Sequence, residues 1–345
     1  MARVTVTDVA KAAGVAYSTA SIALRGVGNV AAGTRERVLA AAQRLGYQAN
    51  PAAAALASQR KASRAVSRRF SLACISGAAG WQDGLWRGVD EGARAFGYGL
   101  EKVRLTGKLD AARLGKRLWN NGVEGLIVSV GHDSPEFDWA ALGLERFALV
   151  RIGRVLPQLP VAMVRASVVE MVKCGLDAIF ARGYRAVWCV LMRTPSQIDD
   201  DIRLGALYAY RAHHLPAGAR LDWDVLADPQ HYQQRPEALR VRLDAVRPEA
   251  VLAFPWSLYF NLKELGVRIP MDLGFAGLPR PESGEASAGP LPVAGVSARR
   301  AEQGQRAVHR LHQLILSGKR GIPSSYDQTL VEPVWIDGET LPAKT

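Results

Sequence analysis

Cysteines, early acidic residues and long apolar runs are all scarce in this sequence. The three cysteines, Cys74, Cys174 and Cys189, are odd in number, lie in apolar runs and show no metal-ligand spacing. This pattern argues against a disulfide framework and favours buried, reduced thiols. No apolar run is long enough to span a bilayer, and the N-terminus lacks the apolar core of a signal peptide. We therefore expect a soluble, cytoplasmic protein with no membrane partner.

Motifs of the common enzyme classes are also absent from the sequence. It contains no phosphate-cradling glycine loop, no GxSxG and no HExxH. His309 and His312 lie three residues apart on a predicted helix, but no further ligands accompany them, so packing is favoured over metal binding. The acidic run Asp199–Asp201 lies at the predicted start of a helix, where negative charge is favoured by the helix dipole, so it does not require a catalytic role. We predict no catalytic residue, no metal site and no cofactor, and hence a protein that is not an enzyme.

Positive charge is concentrated at one end of the chain. Residues 1–70 contain eleven lysines and arginines against two acids, so +9 of the net charge of +12 lies in this segment. A basic head on a nearly neutral body is typical of a phosphate-binding module joined to another domain. A chain of 345 residues is long enough for two to three domains.

The basic head has a regular helical pattern. Between Val4 and Tyr47 the apolar spacing predicts three short helices. The first is capped by Thr5 or Thr7 and ends at Gly14, and the second runs from about Tyr17 to Leu24. Three short helices of this kind form a helix-turn-helix DNA-binding unit. A plain alanine-rich bundle is the alternative, but the concentrated charge favours the DNA-binding interpretation.

The third helix and the segment after it complete the head. Thr34 is expected to cap the third helix, whose predicted apolar face comprises Val38, Leu39, Ala42 and Leu45. A further helix is predicted over about residues 50–57, since Asn50 can cap it and Pro51 suits its first position. This helix spans only two turns and would be marginal alone in water, so it needs a partner. Residues 58–70 are basic and polar, and we interpret them as a linker.

From Ser71 onward, short apolar runs alternate with helical segments, and Gln328–Trp335 is predicted as the final strand. This alternation predicts parallel sheets with helices on both faces. The run is too long for one such sheet, so we expect two α/β lobes with a break near Met163–Ser167. Ligands of such folds bind at the carboxyl ends of the strands, here in the cleft between the lobes.

The head sequence VTVTDVAKAAGVAYSTASIALRG…VAAGTRERVLAAAQRLGYQANPAAAALA resembles the N-terminal motif of the LacI/GalR family of bacterial transcription regulators. The body stretches FALVRIGR, IFARGYRAVWCVL and LKELGVRIPMDLGFAGL resemble that family more loosely. The resemblance implies an α-helical helix-turn-helix domain followed by a periplasmic-binding-protein-like α/β body of two lobes with parallel sheets. It also implies assembly as a homodimer.

The resemblance assigns the following domain boundaries. Residues 1–57 form the DNA-binding domain with a hinge helix at about 50–57, residues 58–70 form the linker, and residues 71–345 form the effector-binding and dimerisation domain. Within that domain, lobe 1 is expected at about 71–163 and 296–322, and lobe 2 at about 164–295 and 323–340.

Residues at the start of the second helix of such a unit face the major groove. Tyr17, Ser18 and Ile22 are the base-facing candidates, with Ser21 close by. Ile22 stands where the family usually has arginine, so it can pack on a thymine methyl but cannot make a bidentate contact to guanine. We therefore expect a different operator preference at that base.

Other residues of the head are candidates for backbone contacts. The candidates for contacts to DNA phosphates are Thr5, Thr7, Arg25, Asn29, Thr34 and Arg35. For each of them the alternative is that the side chain caps a helix or lies on the surface in contact with water only. In the hinge, the contact candidates are Asn50, Ala53 and Leu56. Two Leu56 side chains from paired hinge helices could wedge open a minor-groove step, or they could pack only between those helices.

The cleft departs from the family pattern. Arg203 occupies the position of the family's arginine that bridges sugar hydroxyls, whereas Pro255-Trp256 and Pro279 replace expected acceptor side chains. Arg203 could therefore bind an anionic ligand, or it could pair with a carboxylate of Asp199–Asp201. Further lining candidates, by position, are Trp81, Arg154 and Trp256. A structural role is as plausible as a ligand contact for each of these tryptophans.

These observations predict a sequence-specific transcriptional regulator, a repressor, that binds a palindromic double-stranded DNA operator as a homodimer. A small-molecule effector in the cleft, a sugar, sugar acid or similar compound, would control it. One alternative is an effector-independent regulator with a filled cleft. Another is a solute-binding protein without a regulatory role, against which the basic head counts.

Overall fold

The computed structural model describes residues 4–25, 30–45, 47, 70–77, 83–107, 109–130, 136–153, 156–194, 197–228, 230–281 and 293–344. The chain divides into two compact units, Met1–Ser67 and Arg68–Thr345. The first unit is a small helical head and the second is a larger α/β body. In the described parts of both, no helix is long and apolar enough to cross a membrane.

The head contains helices α1 (Val6–Ala13), α2 (Tyr17–Arg25) and α3 (Ala32–Arg44), as the sequence predicts. Helix α1 ends at Gly14, whose φ of 64° lies in the left-handed region that glycine adopts without a Cβ clash. Small side chains dominate the buried core and let the three helices approach one another closely. This core comprises Val9, Ala10, Ala13, Ala20, Ala23, Val38, Ala41 and Ala42.

Helix α3 differs from the prediction in two respects. It begins at Ala32, so Thr34 lies in its first turn and is not the N-cap. The N-cap is Ala31, which makes no side-chain capping hydrogen bond. Leu39 was predicted to lie on the apolar face but is 48% exposed. Successive helical residues are rotated by about 100°, so the residue that follows buried Val38 points away from the core.

The body consists of alternating strands and helices. Its strands are β1 (Ser71–Ser76), β2 (Gly99–Arg104), β3 (Val123–Ser129), β4 (Ala148–Ile152), β5 (Ala162–Ala166), β6 (Ala186–Met192), β7 (Arg220–Leu226), β8 (Ala250–Ala253), β9 (Gly274–Gly277), β10 (Ala294–Ser297), β11 (Gln328–Val331) and β12 (Val334–Ile336). Its helices are α4 (Asp83–Ala95), α5 (Ala111–Asn120), α6 (Val168–Ala181), α7 (Gln197–His213), α8 (His231–Gln234), α9 (Pro236–Val246), α10 (Leu258–Glu264) and α11 (Arg300–Leu316).

The strands form two six-stranded sheets, which confirms the predicted two-lobed α/β fold. The first sheet has the order β11-β5-β4-β3-β1-β2, and all its described pairings are parallel. The second has the order β12-β10-β9-β8-β6-β7 and is parallel except for the antiparallel pair β10–β12. Helices cover the faces of both sheets, so central strands such as β4 are buried throughout.

The chain passes between the two sheets at three places, and the last of them lies further along the chain than the predicted position near residue 322. The first crossing joins β5 to α6 at Ser167, and the second joins β10 to α11. The third divides the predicted strand Gln328–Trp335 into β11 of the first sheet and β12 of the second. Pro333 lies between these strands and lacks the N–H that a continuous ladder would need. Consequently β11 belongs to the first lobe, although residues 323–340 were expected in the second.

Two strands of the second sheet were not predicted. Strand β7 lies at the edge of its sheet, and charged residues alternate with its apolar ones in the sequence RLDWDVL. Strand β10 has only four residues, AGVS, so it gives a weak pattern. Edge position and short length both reduce the apolar signal that identifies a strand.

The cysteines lie inside the body, as expected. Cys74 and Cys189 are buried in β1 and β6, Cys174 is half-buried on α6, and all three are free thiols. Burial raises the pKa of the Cys74 thiol to about 12, which keeps it protonated and unreactive.

A close helix crossing supports the first lobe. A Cβ added to Gly88 of α4 would lie 1.8 Å from the carbonyl oxygen of Ala301 on α11, and one added to Gly304 would lie 2.6 Å from that of Leu85. The obstructing atoms belong to the backbone and cannot rotate away. Only glycine therefore fits at Gly88 without separating the two helices.

We predict that Gly88→Ala lowers the free energy of unfolding of the body by about 3 kcal/mol, because the added methyl group overpacks the helix crossing. The control is Gly205→Ala on α7, where an added Cβ meets no atom within 4 Å. That control should be neutral or stabilising by up to about 1 kcal/mol, the helix-propensity gain of alanine. Urea unfolding of the full chain measures both. Equal effects of the two substitutions would contradict the close-crossing argument.

Candidate DNA-binding surface and ligand cleft

Helix α2 has one buried and one accessible face. Ala20 and Ala23 are buried in the head core. Tyr17 is 57% exposed and Ser18 is also exposed, at the start of the helix. Ser21 and Ile22 lie one turn further along the same side and are half-buried. The four base-facing candidates therefore share one side of α2, whose first turn is open to solvent.

Thr5 is the N-cap of α1 and forms a reciprocal capping box with Asp8. Its hydroxyl accepts a hydrogen bond from the Asp8 N–H at 3.4 Å, and its own N–H donates to Asp8 Oδ2 at 2.9 Å. The Thr5 hydroxyl also donates to Asp8 Oδ2 at 2.7 Å, and this bond, together with that from the Thr5 N–H, holds the pKa of Asp8 below its usual value of 3.8. The stabilisation is therefore present above that value and is lost as the pH falls through the lowered pKa. Thr5 thus has a structural role, whereas Thr7 is exposed within α1.

The remaining predicted DNA contacts lie partly inside and partly outside the described residues. Thr34 is half-buried in the first turn of α3, and Arg25 is the last residue of α2, with its side chain outside the described part. Asn29, together with Asn50, Ala53 and Leu56 of the predicted hinge helix, also lies outside the described residues.

The body contains a cavity of about 210 Å³ between its two lobes. Gly153, Thr194, Phe254 and Leu278 reach the cavity from just beyond the carboxyl ends of β4, β6, β8 and β9. Ala166, Val168 and Ala298 line it from two of the inter-sheet crossings. The cavity thus lies at the strand ends, where ligands of α/β folds bind, and at the joints between the lobes.

Two arginine–aspartate pairs occupy the polar side of the cavity. Arg165 of β5 contacts Asp199 of α7 at 2.7 Å, and both side chains are less than 10% exposed. This ion pair joins a strand of the first sheet to a helix of the second lobe. Arg203 contacts Asp200 Oδ1 at 2.5 Å, and its guanidinium lies 4.6 Å from the centre of the Phe254 ring. Arg203 is therefore paired with an aspartate, one of the two alternatives that the sequence left open.

Apolar side chains form most of the remaining lining, which we call the apolar wall. It comprises Ala166, Val168, Met171, Val172, Phe254, Leu278, Pro279 and Ala298. Trp256, a predicted lining residue, is half-buried beside Phe260, at 5.6 Å between ring centres, and does not line the cavity. Trp81 and Arg154 lie outside the described residues.

The cavity lining includes three residues that were not predicted from the sequence: Arg165, Thr194 and Gln303. Gln303 is buried and donates its amide N–H to the Ala298 carbonyl at 2.6 Å. Arg165 had a usable signal, because it is a charged residue inside the apolar run VAMVRAS. A buried charge needs a partner, although the sequence alone does not identify Asp199 as that partner.

The fold and the head's accessible helix define a helix-turn-helix regulator joined to a two-lobed binding body. Residues 5–50 match the family of "Bacterial regulatory proteins, lacI family". The HTH-type transcriptional regulator PtxS of Pseudomonas putida is 29% identical over 248 residues, covering 69% of this chain and 70% of that protein. The HTH-type transcriptional regulator GntR of Pseudomonas aeruginosa is 55% identical over 64 residues, 19% of each chain.

A solved structure shares the fold over nearly the whole chain. The Lac repressor dimer bound to operator and the anti-inducer ONPF has a TM-score of 0.55 and 19% identity, covering 99% of this chain and 100% of that chain. The head therefore matches the DNA-binding domain of the lacI family, the body has the fold of the Lac repressor, and the relatives that cover most of the chain are transcriptional regulators rather than enzymes.

We predict that Thr5→Ala destabilises α1 by about 1 kcal/mol, because the N-cap hydrogen bond is lost. Amide hydrogen exchange of residues 6–13 in the full chain measures this change. The matched control is Thr7→Ala, at an exposed helical position where alanine has the higher helix propensity. A loss of protection in the control as large as in Thr5→Ala would show that the capping box is not responsible.

We also predict that Asp199→Asn lowers the free energy of unfolding of the body by about 3 kcal/mol, because it leaves the Arg165 charge buried and uncompensated. The control is Asp222→Asn, which breaks the Arg220–Asp222 pair, whose side chains are 54% and 38% exposed. It should cost less than about 1 kcal/mol. Urea unfolding compares the two variants, and equal losses would refute a special role for the buried pair.

Proposed function

We propose that this regulator is a repressor, that it binds a palindromic operator as a homodimer, and that a small molecule in the interlobe cavity controls it. The accessible first turn of α2 is the observation that carries the DNA-binding part. It lies within the segment that matches the LacI family and within the most basic part of the chain.

Tyr17, Ser18 and Ile22 are proposed to contact base edges, with Ser21 beside them. Their common side of α2 supports this, because the start of the second helix enters the major groove in helix-turn-helix proteins. The proposed phosphate contacts are Thr5, Thr7, Arg25, Asn29 and Thr34, and the proposed hinge contacts are Asn50, Ala53 and Leu56. The net charge of +9 in residues 1–70 supports a large sequence-independent contribution to affinity.

A homodimer and a palindromic operator are proposed together. Two identical heads related by a two-fold axis read two identical half-sites, so protein symmetry requires operator symmetry. The fold shared with the Lac repressor, which forms a dimer on its operator, supports this assembly. The likeness to bacterial regulators also supports the proposal that the protein acts in the cytoplasm.

The cavity is the proposed effector site, and its position supports a switch. A ligand there would touch residues of both lobes and of two inter-sheet crossings, so it could change the relative populations of lobe arrangements. The two hinge segments of a dimer would then be brought into or out of pairing distance. Arg203 is the proposed ligand contact, and Arg154 and Trp81 are secondary candidates.

An effector-independent regulator is the second candidate. The two arginine–aspartate pairs favour it, because they already satisfy much of the polar lining without a ligand. The residual cavity of about 210 Å³ also lies below the usual range for small-molecule sites, roughly 300–1,000 Å³.

The DNA-binding proposal is tested by selecting operators from a palindromic DNA library with the full chain and measuring their affinity by gel shift. The logarithm of the affinity should fall with the logarithm of salt concentration by about 0.9 per phosphate contact. Ser18→Ala should weaken binding about tenfold, the effect of losing a base contact. Arg240→Ala, an exposed change in the body, is the control. Absence of salt-sensitive binding to palindromes would refute the proposal.

We predict that Ile22→Arg changes base preference at one operator position towards guanine, because arginine can donate two hydrogen bonds to guanine O6 and N7. Operator selection with the wild-type and variant chains, followed by sequencing, measures the change. Ile22→Val keeps an apolar side chain and should keep the wild-type preference. An unchanged preference in the arginine variant would show that Ile22 does not face the bases.

A further inference from the structure

The cavity offers few free acceptors to a hydroxyl-rich ligand. Asp199 is held by Arg165, and Asp200 is engaged by three donors. Asp200 Oδ1 accepts from Arg203 Nη1 at 2.5 Å and from Thr194 Oγ1 at 2.9 Å, and Oδ2 accepts from the Thr194 N–H at 2.7 Å. Among the described lining side chains, the remaining strong acceptors are the Gln303 carbonyl oxygen and Asp199, whose Oδ1 lies 2.7 Å from Arg165 but makes no hydrogen bond with good geometry. With two such side chains, the lining offers fewer acceptors than the several hydroxyl donors of a neutral polyol would need.

Positive charge exceeds negative charge around the cavity. Arg165 and Arg203 line it, and Arg151 of β4 is fully buried near Arg165 and Asp199. Arg165 contacts Asp199 and Arg203 contacts Asp200, whereas Arg151 lies behind the lining, over the Tyr326 ring. The exposed Asp201 on the same helix is screened by water. The described cluster therefore has a net positive charge, which favours an anion.

Arg280 is a further arginine close to the lining in sequence, although it does not itself line the cavity. It follows Pro279 of the apolar wall, is half-buried, and has a buried Nε with no hydrogen-bond partner among the described residues. The structure also gives its guanidinium no carboxylate partner in the described part of the chain. Arg203 similarly has donors left over, because only its Nη1 makes a hydrogen bond with the described residues. An incoming carboxylate could accept from the unused donors of Arg203, which lines the cavity, and charge-assisted hydrogen bonds of this kind are strong.

The opposite side of the cavity is the apolar wall, which would bury the nonpolar part of a ligand. We propose that the cavity binds an organic anion with an apolar body, a carboxylate with few or no hydroxyl groups, in preference to a polyol. This inference rests on the proposed role of the cavity as the effector site. It narrows the ligand class from sugars and sugar acids in general to amphipathic acids.

The test is calorimetric titration of the full chain with four probes at constant ionic strength: phenylacetate, its neutral analogue phenethyl alcohol, gluconate and glucose. Phenylacetate should bind at least about tenfold more tightly than phenethyl alcohol, because only the acid brings a negative charge that forms an ion pair with the guanidinium group. It should also bind more tightly than gluconate, whose hydroxyl groups would face the apolar wall.

Arg203→Gln should reduce phenylacetate affinity at least about tenfold. Arg242→Gln is the matched control, since Arg242 also forms an arginine–aspartate pair, with Asp224, but does not line the cavity. A second variant, Val168→Phe, should weaken phenylacetate binding by filling the cavity from a half-buried position. Circular dichroism verifies that each variant is folded.

The outcomes separate this inference from the proposed function. Tighter binding of glucose or gluconate than of phenylacetate would overturn the amphipathic-acid inference but keep an effector site, provided that Val168→Phe weakens it. Equal binding of phenylacetate and phenethyl alcohol would overturn the requirement for an anion. No binding of any probe would overturn both the inference and the effector site, and operator binding by gel shift would still test DNA recognition separately.

Discussion

The buried ion pair between Arg165 and Asp199 ties the two lobes together at the floor of the cavity. Arg165 belongs to a strand of the first sheet and Asp199 to the first helix after β6 of the second. Ion pairs removed from water bring little net stability, because desolvation offsets their attraction, but losing one partner is costly. The pair therefore favours lobe arrangements in which both partners meet and disfavours those that separate them.

This constraint explains why the cavity is suited to couple ligand binding to lobe movement. Its lining includes two of the inter-sheet crossings, and its polar side consists of pairs that each satisfy a buried charge. A ligand that interacts with Arg165 or Arg203 would compete with the aspartate partner of that arginine. Its binding would therefore weaken the existing ion pair. The side chains that would bind a ligand are thus the same ones that hold the two lobes in their present arrangement.

Local patterns in the sequence were sufficient for most of the fold. Helical periodicity, Gly14 and the resemblance of the head located α1 to α3, and alternating strands and helices gave the two lobes. The wrong assignments arose where tertiary structure overrides local signals. Thr34 has capping chemistry, but α3 begins earlier at Ala32. The strand predicted over Gln328–Trp335 is divided because its two halves pair with different sheets.

The cavity was less accessible to sequence reasoning. Arg203 was identified by position, and its pairing with an aspartate was one of two open alternatives. Arg165 was missed because its partner lies on another lobe. Trp256 was proposed because it is adjacent to a lining residue in the sequence, but adjacency does not determine the direction of a side chain. Pairing partners and side-chain directions depend on how distant segments pack, which one sequence without the fold does not specify.

A ligand can switch the regulator only if it binds one lobe arrangement more tightly than another. The apolar part of a ligand would bury a similar nonpolar area in any lobe arrangement that keeps the apolar wall intact. A carboxylate that competes with Asp199 for Arg165 differs, because its gain depends on whether the inter-lobe pair is formed. The charged group would therefore supply the differential affinity and the apolar body would supply affinity common to both arrangements. In the proposed switch, the anion rather than the apolar part would determine the direction of the change.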